Sequence, residues 1–290
     1  MIKKTLITFI LLLFAFHGFS QNEKLDDEKL SMRKQRPNYI GVTLGFGAGN
    51  FRDFATSPLI YNGNPFYLSL STMKMDNKRE TESVFSFAFG NYSSIYNNHS
   101  ASSNVYIFSL FHSELFQLNK LSSEKWNVKI GGLLNATANL RFNPSLLNND
   151  FGYEIIPTLF GSMKVTRDIS SERVKNKKFL FIKYKLKPTS RNLAFKLNVG
   201  LINSVYRNGY VYTGQSSILN ELKAFDDYQF KLFSGFRMNT VLDYTVALKN
   251  KNKIQFSYVW DAYKTGGDIN KLEMAQHTFK ITLLFNTNNK

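Results

Sequence analysis

The chain has no cysteine, only 6 prolines in 290 residues, and 21 acidic residues against 37 lysines and arginines. Without cysteine there is no disulfide, no thiolate metal site and no acylated lipoprotein terminus. The four histidines (His17, His99, His112 and His277) are scattered, so no metal-ligand spacing exists and no cofactor is implied. Beyond the first twenty residues no apolar run approaches the roughly 20 residues a spanning helix needs. No zinc finger, helix-turn-helix or aromatic–basic RNA motif accompanies the net charge of +16, so nucleic acid is not the expected counterpart.

What is present is a two-residue rhythm. In 81–92, Phe85, Phe87 and Phe89 alternate with Ser86, Ala88 and Gly90. In 191–202, Leu193, Phe195, Leu197, Val199 and Leu201 alternate with Ala194, Lys196, Asn198 and Gly200. Successive side chains of a strand point to opposite faces, so each segment has one apolar face and one polar or small face. Many such segments with no spanning helix imply a closed sheet with lipid outside and water inside: an all-β, antiparallel, up-and-down transmembrane barrel.

The first twenty residues read as a secretory signal peptide: Lys3 and Lys4, the apolar run 6–16, then Gly18 and Ser20, with cleavage between Ser20 and Gln21. Residues 21–37 are polar and aperiodic and read as a flexible periplasmic lead-in, leaving 38–290 for the barrel. Eleven strand-like segments follow: 39–48, 65–75, 81–92, 104–118, 125–136, 154–167, 178–186, 191–202, 228–247, 253–262 and 278–286. Short connections (76–80, 119–124, 187–190, 249–252) alternate with long ones (47–64, 93–103, 139–152, 168–177, 207–227, 263–276), except that 154–167 has a long one on each side. Barrels place short turns in the periplasm, long loops outside and an even number of strands between. A twelfth strand is therefore expected between Leu140 and Arg167, with a turn near Pro157. About twelve strands is the expectation, with ten as the alternative if 191–202 is an extracellular hairpin. Ile218, Leu219, Leu222 and Phe225 predict a short helix over 217–227 in the longest loop.

By parity Lys129, Lys164, Lys183, Lys185, Lys196, Lys231, Arg237 and Lys280 face the lumen, against Glu114, Asp243 and Asp261. Such an excess favours anions, unless the cations pair with carboxylates and merely keep the interior polar. Loop cations Arg173, Lys175, Lys177 and Lys178 suit lipopolysaccharide phosphates or plain solvent. Trp126 and Trp260 belong to opposite aromatic belts.

Enzyme templates fit poorly. His112 and Ser113 are adjacent in a strand and point to opposite faces, so they cannot form a phospholipase-type pair. Asp226, Asp227 and His277 lie where a rim protease would carry its acids and histidine, and His99 with Ser100, Ser102 and Ser103 could be forced into a lipid-modifying site. Neither carries specific spacing, and no catalytic residue is assigned.

The mature start after "HGFSQ", the opening strand 39–48 and the closing strand "HTFKITLLFN" resemble the uncharacterised outer-membrane β-barrel proteins of Bacteroidota. The resemblance implies cell-outer-membrane localisation, contact with outer-membrane lipids and lipopolysaccharide, and recognition of the last strand by the outer-membrane assembly machinery through a terminal aromatic, here Phe285. It implies no activity. The functional expectation is a non-enzymatic, narrow porin-like or solute-binding barrel with a basic lumen, with a small anionic solute as a further partner. A structural or surface-interaction barrel is the alternative, and a rim hydrolase a third reading.

Overall fold

The computed structural model describes residues 36–97, 99–146, 151–171, 174–179, 182–186, 188–207, 229–266 and 271–288. The leader, most of the 21–37 segment, Arg173 and the 217–227 stretch with Asp226 and Asp227 lie outside them. In chain order the strands are β1 (Asn38–Asp53), β2 (Ser57–Gly63), β3 (Phe66–Met75), β4 (Arg79–Tyr96), β5 (His99–Gln117), β6 (Trp126–Phe142), β7 (Phe151–Asp168), β8 (Lys175–Phe179), β9 (Ile182–Leu186), β10 (Arg191–Asn203), β11 (Val205–Arg207), β12 (Gln229–Lys231), β13 (Phe236–Ala247), β14 (Lys253–Lys264) and β15 (Leu272–Asn286).

Ten of these close a ring of antiparallel neighbours: β1, β3, β4, β5, β6, β7, β10, β13, β14, β15 and back to β1. The seam pairs the first strand with the last, from Tyr39 opposite Asn286 to Asp53 opposite Leu272. Closure satisfies both edges of every wall strand, which hydrocarbon requires because it offers backbone amides no partner.

The side-chain parity follows the period-two pattern around the ring. On β1, Ile40, Val42, Leu44 and Phe46 point outward, and Phe46 is 66% exposed. Between them Thr43 points inward and bonds Thr282 of β15 (2.9 Å). Leu70, Phe85, Leu110, Leu134, Leu159, Phe195, Leu242, Phe256 and Ile281 continue the exposed apolar face on the remaining strands. An exterior this apolar is stable against lipid and not against water, so the barrel is transmembrane. Aromatics collect towards one end of the band, where Tyr106, Phe142, Phe151, Tyr153 and Tyr206 form a chain of ring contacts. Trp126 stacks with Arg167 at the opposite end, and Trp260 lies near the first, opposite His277.

The count of ten corrects the expectation of twelve. The stretch 154–167 is one unbroken strand, in which Pro157 lies opposite Ala136 with no turn. Nor is 191–202 a loop hairpin, since β10 pairs with both β7 and β13. The segment that leaves the wall is 178–186, which folds on itself into the separate β8–β9 pair. The 228–247 segment also divides: among the described residues β12 pairs β11, and β13 enters the ring.

Because 178–186 does not cross, the connection from β7 to β10 begins and ends at the same end of the barrel. That is the near end, where β1 starts, β15 finishes and the turns 76–78 and 248–252 lie. The cationic stretch around Lys175, Lys177 and Lys178 therefore sits with the short turns, not among the long loops where alternation had put it. At the far end β4 and β5 run 18 and 19 residues, past the 9–11 a spanning strand needs. They turn at Asn97, whose φ of 46° is one that Asn tolerates.

Placing charge on the lipid face tests the inside–outside assignment. Leu70→Lys is expected to lower unfolding stability by about 2–4 kcal/mol, the midplane cost of a lysine. Ser69→Thr, on the inner face, changes it by less than about 1 kcal/mol. Urea unfolding of the refolded barrel in lipid vesicles measures both, and equal values would refute the parity.

Candidate functional site

The lumen is the candidate site, and its two ends differ. At the far end the chain assembles a hydrophobic cluster inside the barrel: Phe51, Tyr61, Tyr92, Val105, Ile156, Val205, Tyr263, Leu272 and Met274, all buried. Phe51 stacks on Tyr61 (4.9 Å between centroids) and meets Tyr92 edge-on (5.5 Å). Embedded in this cluster is a four-membered ion network. Arg141 of β6 bonds both oxygens of Glu154 on β7 (2.5 Å each) and Oδ2 of Asp53 on β1 (2.6 Å). Arg207 of β11 bonds Glu154 Oε1 (2.7 Å) and Asp53 Oδ1 (2.5 Å). All four side chains are at most 5% exposed.

Position in the ring gives this network its meaning. β1 lies across the barrel from β6 and β7, so the bonds from Asp53 to Arg141 and Arg207 span the lumen. Asn139 of β6 likewise reaches Tyr263 Oη of β14 (2.7 Å), and Gln276 of β15 reaches Tyr92 Oη of β4 (3.1 Å). Gly152, opposite Arg141 in the ladder, makes room for the guanidinium: an added Cβ there would come within 3.0 Å of its Nη2. Together these contacts seal the far end.

Below the seal lies a cavity of ≈ 870 Å³, which reaches up to Arg237, Tyr263 and Gln276 and is lined by no member of the network. Its lower lining includes Pro37, Asp76, Asn77, Glu124, Lys125 and Ser190, all at near-end turns or strand ends, so its mouth opens there.

Of the eight cations assigned inward by parity, Lys129, Lys164, Lys196, Arg237 and Lys280 line this cavity, and Lys253 joins them. Lys183 lies on β9, outside the ring, as does Lys185, and Lys231 sits on the β11–β12 extension rather than in the wall. Glu114 is a further correction. It points outward at the near rim and pairs with Arg79, whose guanidinium also covers Phe116. The acids that do line the cavity are Glu80, Glu82, Asp243 and Asp261, besides those of the rim.

Register makes the lysines unusual. Lys129 lies directly opposite Lys164, and Lys164 directly opposite Lys196, so three neighbouring strands set like charges in one row. Such pairing is unfavourable unless compensated. Glu80, from β4, supplies compensation to Lys164 (2.6 Å) and Lys129 (3.4 Å), and Glu82 to Lys196 (3.6 Å). Arg237 is held by Asp261 (2.8 Å), Asn135 (2.8 Å) and Thr137 (2.9 Å). Lys253 and Lys280 have no carboxylate within salt-bridge distance among the described residues; their ammonium groups rest over Tyr39 (4.6 Å) and Tyr67 (3.6 Å). Lys280 reaches Tyr67 across Gly45 of β1, where a Cβ would lie 3.1 Å from its Cγ.

The histidines are placed as follows. His112 faces outward, away from Ser113, and bonds Ser83 across the strand (2.8 Å). His277 also faces outward, bonded to and stacked on Tyr258 (2.6 Å). His99 is exposed opposite Tyr96.

Sequence reasoning misses Asp53, Arg141 and Arg207 because they lie beyond the strand ends it assigns; Glu154 opens the segment 154–167 on the same parity as Lys164 and is passed over there. The signal was there: Asn135, Thr137, Asn139 and Arg141 alternate with Ala136, Ala138, Leu140 and Phe142, so β6 visibly continues past Ala136.

By sequence the chain matches no protein-family model and no curated protein. Among solved structures it is similar to the translocator domain of the autotransporter NalP from Neisseria meningitidis, at 11% identity over 94% of this chain and 96% of that one, with a TM-score of 0.38. It is also similar to the transport unit of the autotransporter AIDA-I from Escherichia coli, at 8% identity over 91% of each chain and a TM-score of 0.41. An outer membrane channel from Pseudomonas putida F1 shows 12% identity over 86% of this chain and 96% of that one, with a TM-score of 0.30. No activity carries over at such identities.

Removing one carboxylate from the far-end network strands buried cations. Glu154→Gln is expected to cost about 3–5 kcal/mol of unfolding free energy. Glu273→Gln, which breaks a half-exposed pair with Lys264, costs under about 1 kcal/mol. Denaturant unfolding of the two refolded variants reads the difference, and similar small losses would show that the network does not hold the far end shut.

Proposed function

We propose that this chain is an outer-membrane β-barrel whose lumen works as a one-ended cup, taking a small anionic solute from the periplasmic side and closed to free diffusion at the outer side. The observation that carries this reading is the asymmetry of the lumen: an ≈ 870 Å³ cavity opens among the near-end turns and stops beneath the cluster around Phe51 and Arg141. Short turns at the near end support assigning it to the periplasm, and the long β4–β5 hairpin supports assigning the far end to the exterior. A cavity of this size accepts a drug-sized solute.

The preference for anions rests on the lining. Over the whole lining seven cations (Lys125, Lys129, Lys164, Lys196, Arg237, Lys253 and Lys280) meet seven acids (Asp76, Glu80, Glu82, Glu124, Asp168, Asp243 and Asp261), so the formal charges balance and the preference rests on which cations lack an ion-pair partner. Most of these charges neutralise one another, so the expected bias is modest and resides in Lys253 and Lys280. Hydroxyl and amide groups, including Ser69, Ser71, Ser86, Asn192, Asn198 and Asn239, share the remaining inner face with apolar side chains such as Val84, Phe111, Leu133 and Phe160, and supply uncharged polar contacts to a solute.

Planar-bilayer recording of the refolded protein tests both parts. The wild type is expected to show no single-channel steps. Truncating two rings of the seal, Phe51→Ala with Tyr92→Ala, is expected to produce steps whose reversal potential in a salt gradient favours chloride. Steps from the wild type would refute the cup, and a cation-selective opened variant would refute the anion preference.

A further inference from the structure

The outer wall carries a second arrangement that the lumen does not use. Above Phe46 on the outward face of β1 come Ala48, Asn50 and Arg52, and the ladder sets Arg52 opposite Glu273 of β15, itself opposite Lys264 of β14. The aromatic level below is marked by His277 opposite Trp260. The charged level is four residues further up the strand, about 13 Å along it and some 9 Å along the membrane normal for a tilt near 45°. That is the depth of a lipid headgroup.

At this level two cations converge on one aromatic ring. The Arg52 guanidinium lies 4.2 Å from the centroid of Phe54, and Lys271 Nζ lies 4.8 Å from the same centroid. The ring is anchored in turn, since the Phe54 backbone N–H donates to the Lys271 carbonyl (3.0 Å). Arg52 spends only its Nε, on the Pro58 carbonyl (2.9 Å). Its terminal amino groups and the Lys271 ammonium have no hydrogen-bond or ion-pair partner among the described residues. The nearby carboxylate, Glu273, is engaged by Lys264 (3.1 Å). Two cations are thus held close together, half-exposed, with five or more N–H donors unspent and no anion taking them among the described residues. A fork plus an ammonium is the donor set that a phosphate dianion fits.

We propose that Arg52, Lys271 and Phe54 form a binding site for a phosphate of lipopolysaccharide, the phosphorylated lipid of the outer leaflet. The wall beneath favours a lipid over free phosphate: Leu44, Phe46, Phe279 and Ile281 are exposed on the same face, directly below the cation pair, and offer apolar surface to acyl chains of the same molecule. The site rests on the orientation adopted for the cup, which puts the far end outside.

Titration of the refolded barrel in detergent with fluorescent lipopolysaccharide tests the site. The wild type is expected to bind with an affinity that falls as salt rises. Arg52→Gln with Lys271→Gln is expected to weaken binding about tenfold or more, for the loss of two charge-assisted contacts. Lys120→Gln, an exposed lysine at the opposite end of the barrel, is expected to change it less than about twofold. Heat-modifiable gel mobility confirms that each variant is folded. Equal affinity in the double variant overturns the proposal. Displacement of the lipid by inorganic phosphate at matched concentration, or equal binding to phosphatidylglycerol vesicles, overturns the lipopolysaccharide assignment. Orientation is read separately: the chain has no cysteine, so Ser100→Cys on the β4–β5 hairpin is expected to react with an impermeant maleimide on intact cells. Absence of labelling would sink the orientation, and with it the periplasmic cup, whereas the detergent titration does not depend on it.

Discussion

A backbone amide in hydrocarbon has no water to bond, and this single constraint organises the molecule. It forces the sheet to close, with β15 zipped onto β1 along fifteen consecutive residue pairs from Tyr39 to Asp53. Closure then divides every wall strand into an outer and an inner row. The outer row must be apolar along the membrane band, which leaves the inner row as the only sheltered place for charge. The lysines, the glutamates and the arginine network are consequences of that division, since groups excluded from one face can be accommodated only on the other.

Inside, compensation is partial and unevenly distributed. At the far end two arginines meet two carboxylates with short bonds on both sides, in a dry surrounding of aromatic and aliphatic side chains, and the arrangement is rigid because losing any one partner leaves a charge without solvent. Lower down, three lysines in register share two glutamates that reach over from another strand. Lys253 and Lys280 make do with the faces of tyrosine rings, an interaction far weaker than a desolvated ion pair. The barrel thus grades from a closed, fully paired end to an open, incompletely paired one.

Much of this was legible in the sequence because the lipid-facing pattern is strict. Segments such as 81–92 and 191–202 announce both their conformation and their orientation. The count of strands was not legible. The run 178–186 has the composition of a wall strand, and nothing local in it tells that its residues enter the separate β8–β9 pair and not the ring. Polar strand extensions were also hidden: Ser93 to Tyr96 and Thr137 to Phe142 leave or approach the membrane boundary, where the outer row no longer has to be apolar and the contrast between faces fades. Three of the four charges of the seal, Asp53, Arg141 and Arg207, sit in such extensions and so read as loop residues, whereas Glu154 opens a segment already legible as a strand. Their pairing depends on curvature, which brings β1 opposite β6 and β7, and no local pattern encodes who stands across a ring.

The seal draws Asp53 from the first strand and its partners from the sixth, seventh and eleventh, so its bonds cannot form on an open sheet. An unfinished barrel, with β1 and β15 still apart, would hold two arginines and two carboxylates at separated positions, hydrated and unmatched. Only when the seam joins do they come within reach and shed water together. The far-end network is therefore a built-in check on completeness: a barrel that lacks its last strand, or closes out of register, cannot acquire it.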